Sequence, residues 1–203
     1  GDPWQNEQPH IPGSLTQPNF ILPFQPGDVW ALTGGPHAGW GKGEPLAALD
    51  FAPPSKISGC VSSSIWATAV ANGVVVRSNI GEVMLDLDGD GDERTGWNIY
   101  YLHVGSEGRV ALGTQLKQGD PIGHPSCEGG AATGTHIHIA RKYNGEWMPA
   151  AGSGGTLAFN LEGWTANNGF QEYLGTLTRN SRTVTACTCS NAASFIASDR
   201  PDE

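Results

Sequence analysis

The sequence predicts a mainly β, antiparallel domain, and three observations carry that reading. Glycine and proline supply 29 and 14 of the 203 residues, too many breakers for long helices and too few for collagen or disorder. The apolar stretches are short, rich in Val, Ile, Tyr and Trp, and bounded by turn dipeptides, as strands are. No stretch sustains the 3.6-residue apolar period of an amphipathic helix.

Taken in order, residues 1–27 are rich in Pro, Gln and Asn and read as an extended arm lying over a core. The core itself is expected over residues 28–150. Its first pieces are Val29-Trp30-Ala31-Leu32 and the apolar run 47–51, separated by Gly and Pro that mark turns between short strands. Residues 69–77 hold Val74-Val75-Val76 after Asn72-Gly73, a dipeptide that favours a hairpin turn. Further strands are expected at 82–87 and 97–104, on either side of an acidic segment. Lys117-Gln118-Gly119-Asp120 reads as a turn. Residues 135–143, Asn144-Gly145 and Glu146-Trp147-Met148 read as strand, turn and strand. Residues 151–203 form a C-terminal extension, in which Thr alternating with apolar residues over 172–189 predicts one more hairpin before a polar tail.

Charge and cysteine usage narrow the function. With 11 Lys and Arg against 20 Asp and Glu, net charge is −9, and no basic patch suits nucleic acid or an anionic surface. No run approaches the roughly 18 apolar residues of a membrane span. Four cysteines, Cys60, Cys127, Cys187 and Cys189, lack the paired C-x-x-C spacing of a zinc site and suit disulfides of an exported protein. Four allow three connectivities, of which Cys60–Cys127 with Cys187–Cys189 is preferred. Gly1-Asp2-Pro3-Trp4 reads as a trimmed start, consistent with a secreted, extracellular or wall-associated protein acting as a monomer.

The chemistry lies in histidine and aspartate. His136-Ile137-His138 would place both imidazoles on one face of a strand and turn Ile137 inward. Asp50 sits in an apolar run, where an unpaired carboxylate is costly. A divalent cation, or an ion pair with Lys42 or Arg77, would satisfy it. His37 follows Gly34-Gly35-Pro36, and His103 ends Tyr100-Tyr101-Leu102-His103. Taken singly, each of these is more simply a satisfied structural residue, as are His124 and His10. Together, two histidines and one carboxylate leave a fourth position open, which is a hydrolytic zinc arrangement. Two further imidazoles are then available to move a proton and stabilise an oxyanion. No G-x-S-x-G or H-E-x-x-H motif offers a different route.

These residues make the chain recognisable. Thr133-Gly134-Thr135-His136-Ile137-His138-Ile139 resembles the G-x-H-x-H strand of the lysostaphin-like and β-lytic zinc metallopeptidases. Gly35-Pro36-His37 and Leu49-Asp50-Phe51 are similar to the family's first metal histidine and its metal aspartate. Cys127-Glu128-Gly129-Gly130 is similar to the β-lytic branch. The resemblance covers residues 28–150 and implies an antiparallel β sandwich or half-open barrel with a substrate groove. It implies zinc on His37, Asp50 and His138, with His136 and His103 as catalytic histidines. The implied activity is endopeptidase cleavage of peptidoglycan cross-bridges, with a glycine-containing peptide as the substrate partner. A non-catalytic or autoinhibited wall-binding or activator module on the same scaffold is the alternative, with either terminal segment able to fill the groove.

One motif lies outside that resemblance. Asp86, Asp88, Asp90 and Asp92 alternate with Leu87, Gly89 and Gly91 like the front half of a calcium loop, but position twelve is Trp97. Calcium is therefore a second expected cation, against the simpler reading of an acidic hairpin tip.

Overall fold

In the computed structural model, which describes residues 11–152 and 157–199, every regular element is a strand. The strands are β1 (Val29–His37), β2 (Ala48–Ala52), β3 (Ala67–Thr68), β4 (Gly73–Asn79), β5 (Gly81–Asp86), β6 (Trp97–Val104), β7 (Gln115–Leu116) and β8 (Pro121–Gly123). They continue with β9 (Ile137–Tyr143), β10 (Glu146–Trp147), β11 (Asn160–Leu161), β12 (Trp164–Asn168), β13 (Gly175–Arg179), β14 (Arg182–Thr185) and β15 (Phe195–Ala197). A nine-stranded sheet runs β15-β1-β2-β9-β6-β5-β4-β7, with β10 pairing β9. The set β11-β12-β13-β14 forms a second sheet and β3-β8 a two-stranded third, all paired antiparallel.

Alternation along the central strands divides the large sheet into two faces. Leu49, Phe51, Ile99, Tyr101, Ile137 and Ile139 point into the main core, where Trp164, Leu177 and Val184 of the second sheet meet them. Their neighbours Ala48, Tyr100, Leu102 and Ala140 form a smaller apolar cluster on the opposite face. Asp50 and His138 share that second face by parity, so the sheet's pleat carries the polar residues away from the main core. The register places Asp50 directly opposite His138 across β2 and β9, and Leu102 opposite His138 across β9 and β6.

Both flanks of the core strands contribute to packing. Phe20, Leu22 and Phe24 are buried, and Phe24 stacks on Trp30 at 4.9 Å. Beyond residue 150, β15 extends the large sheet by pairing with β1, while β13 and β14 form a hairpin. The tyrosine-bearing strand matches its expected span, 97–104, and Asn144-Gly145 does turn one strand into the next.

One expected turn is absent. Asn72-Gly73 does not close a hairpin, because β3 pairs with β8, whereas β4 pairs with β5 and β7. Gly73 is required for a different reason: a Cβ there would lie 2.4 Å from the Asp86 carbonyl oxygen of the neighbouring strand. The glycine marks close backbone approach as the chain enters the large sheet.

The cysteines form two disulfides, Cys60–Cys127 and Cys187–Cys189. The first joins segments 67 residues apart, fastening residues 53–66 to the loop that leads into β9. Thr135 reinforces the seam, its Oγ1 accepting from Val61 N at 2.9 Å and its own N–H reaching Gly59 O at 3.1 Å.

Candidate active site

Three adjacent strands of the large sheet bring His37, Asp50 and His138 to one point. His37 Nε2 lies 2.9 Å from His138 Nδ1, and Asp50 Oδ1 lies 3.3 Å and 3.2 Å from those two atoms. All three residues are buried. Gly34, opposite Asp50 in the register, makes room for the carboxylate: a Cβ there would fall 2.5 Å from Asp50 Oδ2.

The outer nitrogens fix the chemistry of the inner ones. His37 Nδ1 faces Gly35 O at 2.8 Å, and His138 Nε2 faces Gly39 O at 3.0 Å. A carbonyl oxygen can only accept, so each of these nitrogens carries the proton, and in a neutral imidazole the other nitrogen is a bare lone pair. Two lone pairs and a carboxylate oxygen therefore converge. Asp50 Oδ1 is buried without a hydrogen bond. Such an arrangement is repulsive unless a cation sits within it. A zinc ion with bonds of about 2.0–2.1 Å holds neighbouring ligand atoms about 3.3 Å apart, and the observed edges are close to that. The residues present fit the metal.

The same field shows in the acidities. Burial resists ionisation of Asp50, but the imidazoles of His37, His136 and His138 outweigh it and hold the carboxyl well below its ordinary range. Burial lowers the His37 pKa, while Asp50 and the Gly35 carbonyl more than reverse this, leaving it raised.

Two more imidazoles flank this triangle. His136 Nε2 is 3.6 Å from Asp50 Oδ1, and the His103 and His136 ring centres are 4.5 Å apart. The Nδ1 atoms of His136 and His103 donate to Gly134 O at 2.7 Å and Glu128 O at 2.8 Å, which turns Nε2 of each toward the triangle. His103 is pushed down to about 4 by burial and then by its neighbour His136, so it is neutral across the physiological range. It also adopts φ 64°, a left-handed conformation that costs a non-glycine residue energy. The loop 126–130 holds it there: Ser126 N and Oγ both donate to His103 O, at 2.8 Å and 2.9 Å. Glu128 is in turn anchored by the Ser106 N–H and hydroxyl and by Arg109.

The remaining marked residues lie apart. His124 donates to or accepts from no member of the site; its Nδ1 faces Ile65 O at 3.0 Å, and its ring lies against Trp66. His10 falls outside the described residues. Neither Lys42 nor Arg77 pairs with Asp50, and Arg77 instead binds Glu82 and Glu93. Asp86, Asp88 and Asp90 do gather within 4.8 Å of one another, but Asp92 turns to Arg94, at 2.7 Å.

Several contributors carry no sequence signal. Tyr173 stacks on His37 with ring centres 4.2 Å apart and planes 22° apart, from a region the motifs do not reach. The Gly39, Gly134 and Glu128 carbonyls act through backbone atoms, which side-chain motifs do not report. The five gathered residues open onto a groove of about 2010 Å³, larger than the roughly 300–1,000 Å³ of a small-molecule pocket.

No protein-family model matches the chain. Among curated proteins it is similar to Protease LasA of Pseudomonas aeruginosa, at 25% identity over 149 residues. That match covers 70% of this chain but 32% of LasA, so the chain spans about a third of its relative. Among solved structures, the M23 metalloprotease pseudoalterin, described as from the deep sea, superposes with a TM-score of 0.68 at 23% identity. That alignment takes in 84% of this chain and 96% of pseudoalterin, and it shows a shared fold. The chain thus shares the fold of the M23 metalloprotease pseudoalterin, and within that fold a buried His-Asp-His cluster stands beside the H-x-H strand.

Proposed function

We propose that the chain is a zinc-dependent endopeptidase that cleaves peptide bonds in peptidoglycan cross-bridges, with glycine-containing bridges as preferred substrates. The observation that carries this reading is the convergence of two imidazole lone pairs and the Asp50 carboxylate in a buried triangle. His37, Asp50 and His138 would hold the zinc. When bound, the metal supplies Lewis-acid polarisation of the scissile carbonyl and makes water acidic enough to attack near neutral pH.

The chain's own residues do the rest. His103 Nε2, kept unprotonated by burial and by His136, is suited to accept the proton of the attacking water and deliver it to the leaving amine. His136 Nε2, beside Asp50, is suited, when it carries a proton, to donate to the carbonyl oxygen as charge develops there. The backbone carbonyls bonded to both rings keep their Nε2 atoms pointing inward without reorganisation during the reaction. Glycine and alanine at 38–39 and 130–132 line the walls beside the metal residues, so a substrate backbone free of side chains can lie close to them.

A non-catalytic module on this scaffold finds less support. The described residues leave the groove open, and residues 20, 22 and 24 of the arm lie in the core. Calcium is not part of this reading, because the Asp86, Asp88 and Asp90 carboxylates already accept hydrogen bonds from their own turn. Export to the cell exterior fits such a substrate and the two disulfides, and cleavage by a monomer requires no second copy.

The test is cleavage of pentaglycine and of purified peptidoglycan, with metal content measured on the same sample. Chelator-sensitive cleavage at about one zinc per chain supports the reading. Zinc without cleavage would favour the activator module, and absence of zinc binding would remove the basis of the proposal.

A further inference from the structure

The groove does not end at the histidines. From Asp50 the same sheet face continues along β1 and β2, where Ala31 pairs with Ala52 and Thr33 follows on the same side. These short side chains form a shallow shelf. At its far end stand Val29 and Phe195, 45% and 47% exposed, from β1 and from the β15 strand added beyond residue 150. Phe195 lies opposite Ala31 in the register, so its ring and Val29 rise from neighbouring positions of one face. None of these residues is charged, in a chain whose net charge is −9.

We propose that Val29 and Phe195 form a distal subsite that takes an apolar side chain of an extended peptide lying in the groove. The partner is a peptide carrying a leucine-like residue about four positions from the scissile bond. Two residues along β2 from Asp50 to Ala52, and two along β1 from Ala31 to Val29, span about 13 Å at roughly 3.3 Å per residue, the reach of four extended substrate residues. Continuity with the reaction centre argues for a substrate rather than an unrelated protein, since one uninterrupted groove is lined by His37, His138, Val29 and Phe195 alike. The proposal rests on the peptidase reading for what enters the groove, and adds that glycine at the centre is joined by apolar selection at a distance. It also gives the C-terminal extension a role: without β15 the shelf would lose its end wall.

The experiment uses glycine nonapeptides with a single leucine or aspartate at each position in turn. kcat/KM is measured on the wild-type chain, on Phe195→Ala and Val29→Asp, and on Phe170→Ala, an exposed aromatic outside the groove lining. Unchanged melting and zinc content establish that the variants are folded. In the wild type, leucine should exceed aspartate on the order of tenfold at one position about four residues from the cut, as partial burial of a leucine side chain provides. That ratio should fall to about one in Phe195→Ala and Val29→Asp and persist in Phe170→Ala. In parallel, binding of the same peptides to His136→Ala is followed by calorimetry, a readout that needs no turnover. Cleavage with no leucine preference at any position, or a preference that survives both groove variants, overturns the subsite and leaves the peptidase reading standing. Leucine-dependent binding lost in Phe195→Ala, with no cleavage by the wild type, sustains the subsite and overturns the peptidase reading. Neither binding nor cleavage overturns both.

Discussion

Two clusters in this molecule present carboxylates or imidazoles at metal-ligand spacing, and they differ in where their lone pairs point. Around Asp50, backbone carbonyls take the outer protons of His37 and His138 and force the inner nitrogens to face the carboxylate bare. Around Asp86 the reverse holds: Asp86 accepts from the N–H groups of Asp88 and Gly91, Asp88 from that of Asp90, and Asp90 from that of Asp92. Asp92 is held down to about 2 by the Arg94 guanidinium. The first cluster is unsatisfied without a cation; the second is a turn whose carboxylates cap its own backbone. Residue type and spacing are alike in flagging both, and the hydrogen-bond partners separate them.

Breaking the first cluster should have the largest effect. Asp50→Ala or His138→Ala removes one of three ligands, so zinc content should fall from about one per chain to near zero and cleavage with it. Metal analysis and a pentaglycine assay check both. Next, His103→Ala and His136→Ala should each lower kcat by about 10²–10⁴ while the zinc remains, which separates proton handling from metal holding. If either variant instead lost its zinc, the division of roles drawn here would be wrong.

The pH dependence sharpens the same contrast. A raised His37 pKa in the metal-free protein means that protons compete for the site from above pH 6.5, and more strongly as pH falls. Apparent zinc affinity, followed by competition with a chromogenic chelator, should therefore drop steadily from pH 8 to pH 5. In the metal-free fold the depressed Asp50 pKa contributes stability that is present above the ordinary carboxyl range and lost as pH falls through its lowered value.

Replacing Cys60 and Cys127 together by serine should lower stability by about 2–4 kcal/mol, since the bridge closes a long loop. A melting curve would show a drop of several degrees, and residues 53–66 would become the first segment exposed to protease. The smallest expected effect belongs to the acidic loop. Adding calcium should move the melting temperature by no more than about 1–2 °C, and a larger shift would mean that the turn opens its carboxylates to an ion.

Much of the fold was legible because the signals are local. The β-rich runs at 97–104 and 135–143, and the Asn144-Gly145 turn, depend on neighbours in sequence, and the structure places strands at 97–104 and 137–143. The hairpin expected at Asn72-Gly73 failed because the same dipeptide serves wherever two backbones must nearly touch, and only Asp86 on another strand reveals which use applies. Tyr173 was invisible for a related reason: a tyrosine becomes informative only when His37, 136 positions earlier, is found beneath its ring.

The sequence by itself determined the side chains that can bind a metal and move a proton, since imidazole and carboxylate chemistry belongs to the residue. It also determined that His136 and His138 share a face, because a strand repeats every two residues. Tertiary structure decided that His37, Asp50 and His138 meet at all, through a register that sets Asp50 against both Gly34 and His138. It decided which nitrogen of each ring carries the proton, through carbonyls at Gly35, Gly39, Gly134 and Glu128. It also decided that β15, more than 150 residues from β1, completes the groove wall. Pairing across such separations is set by the packing of the whole sheet, and no local pattern encodes it.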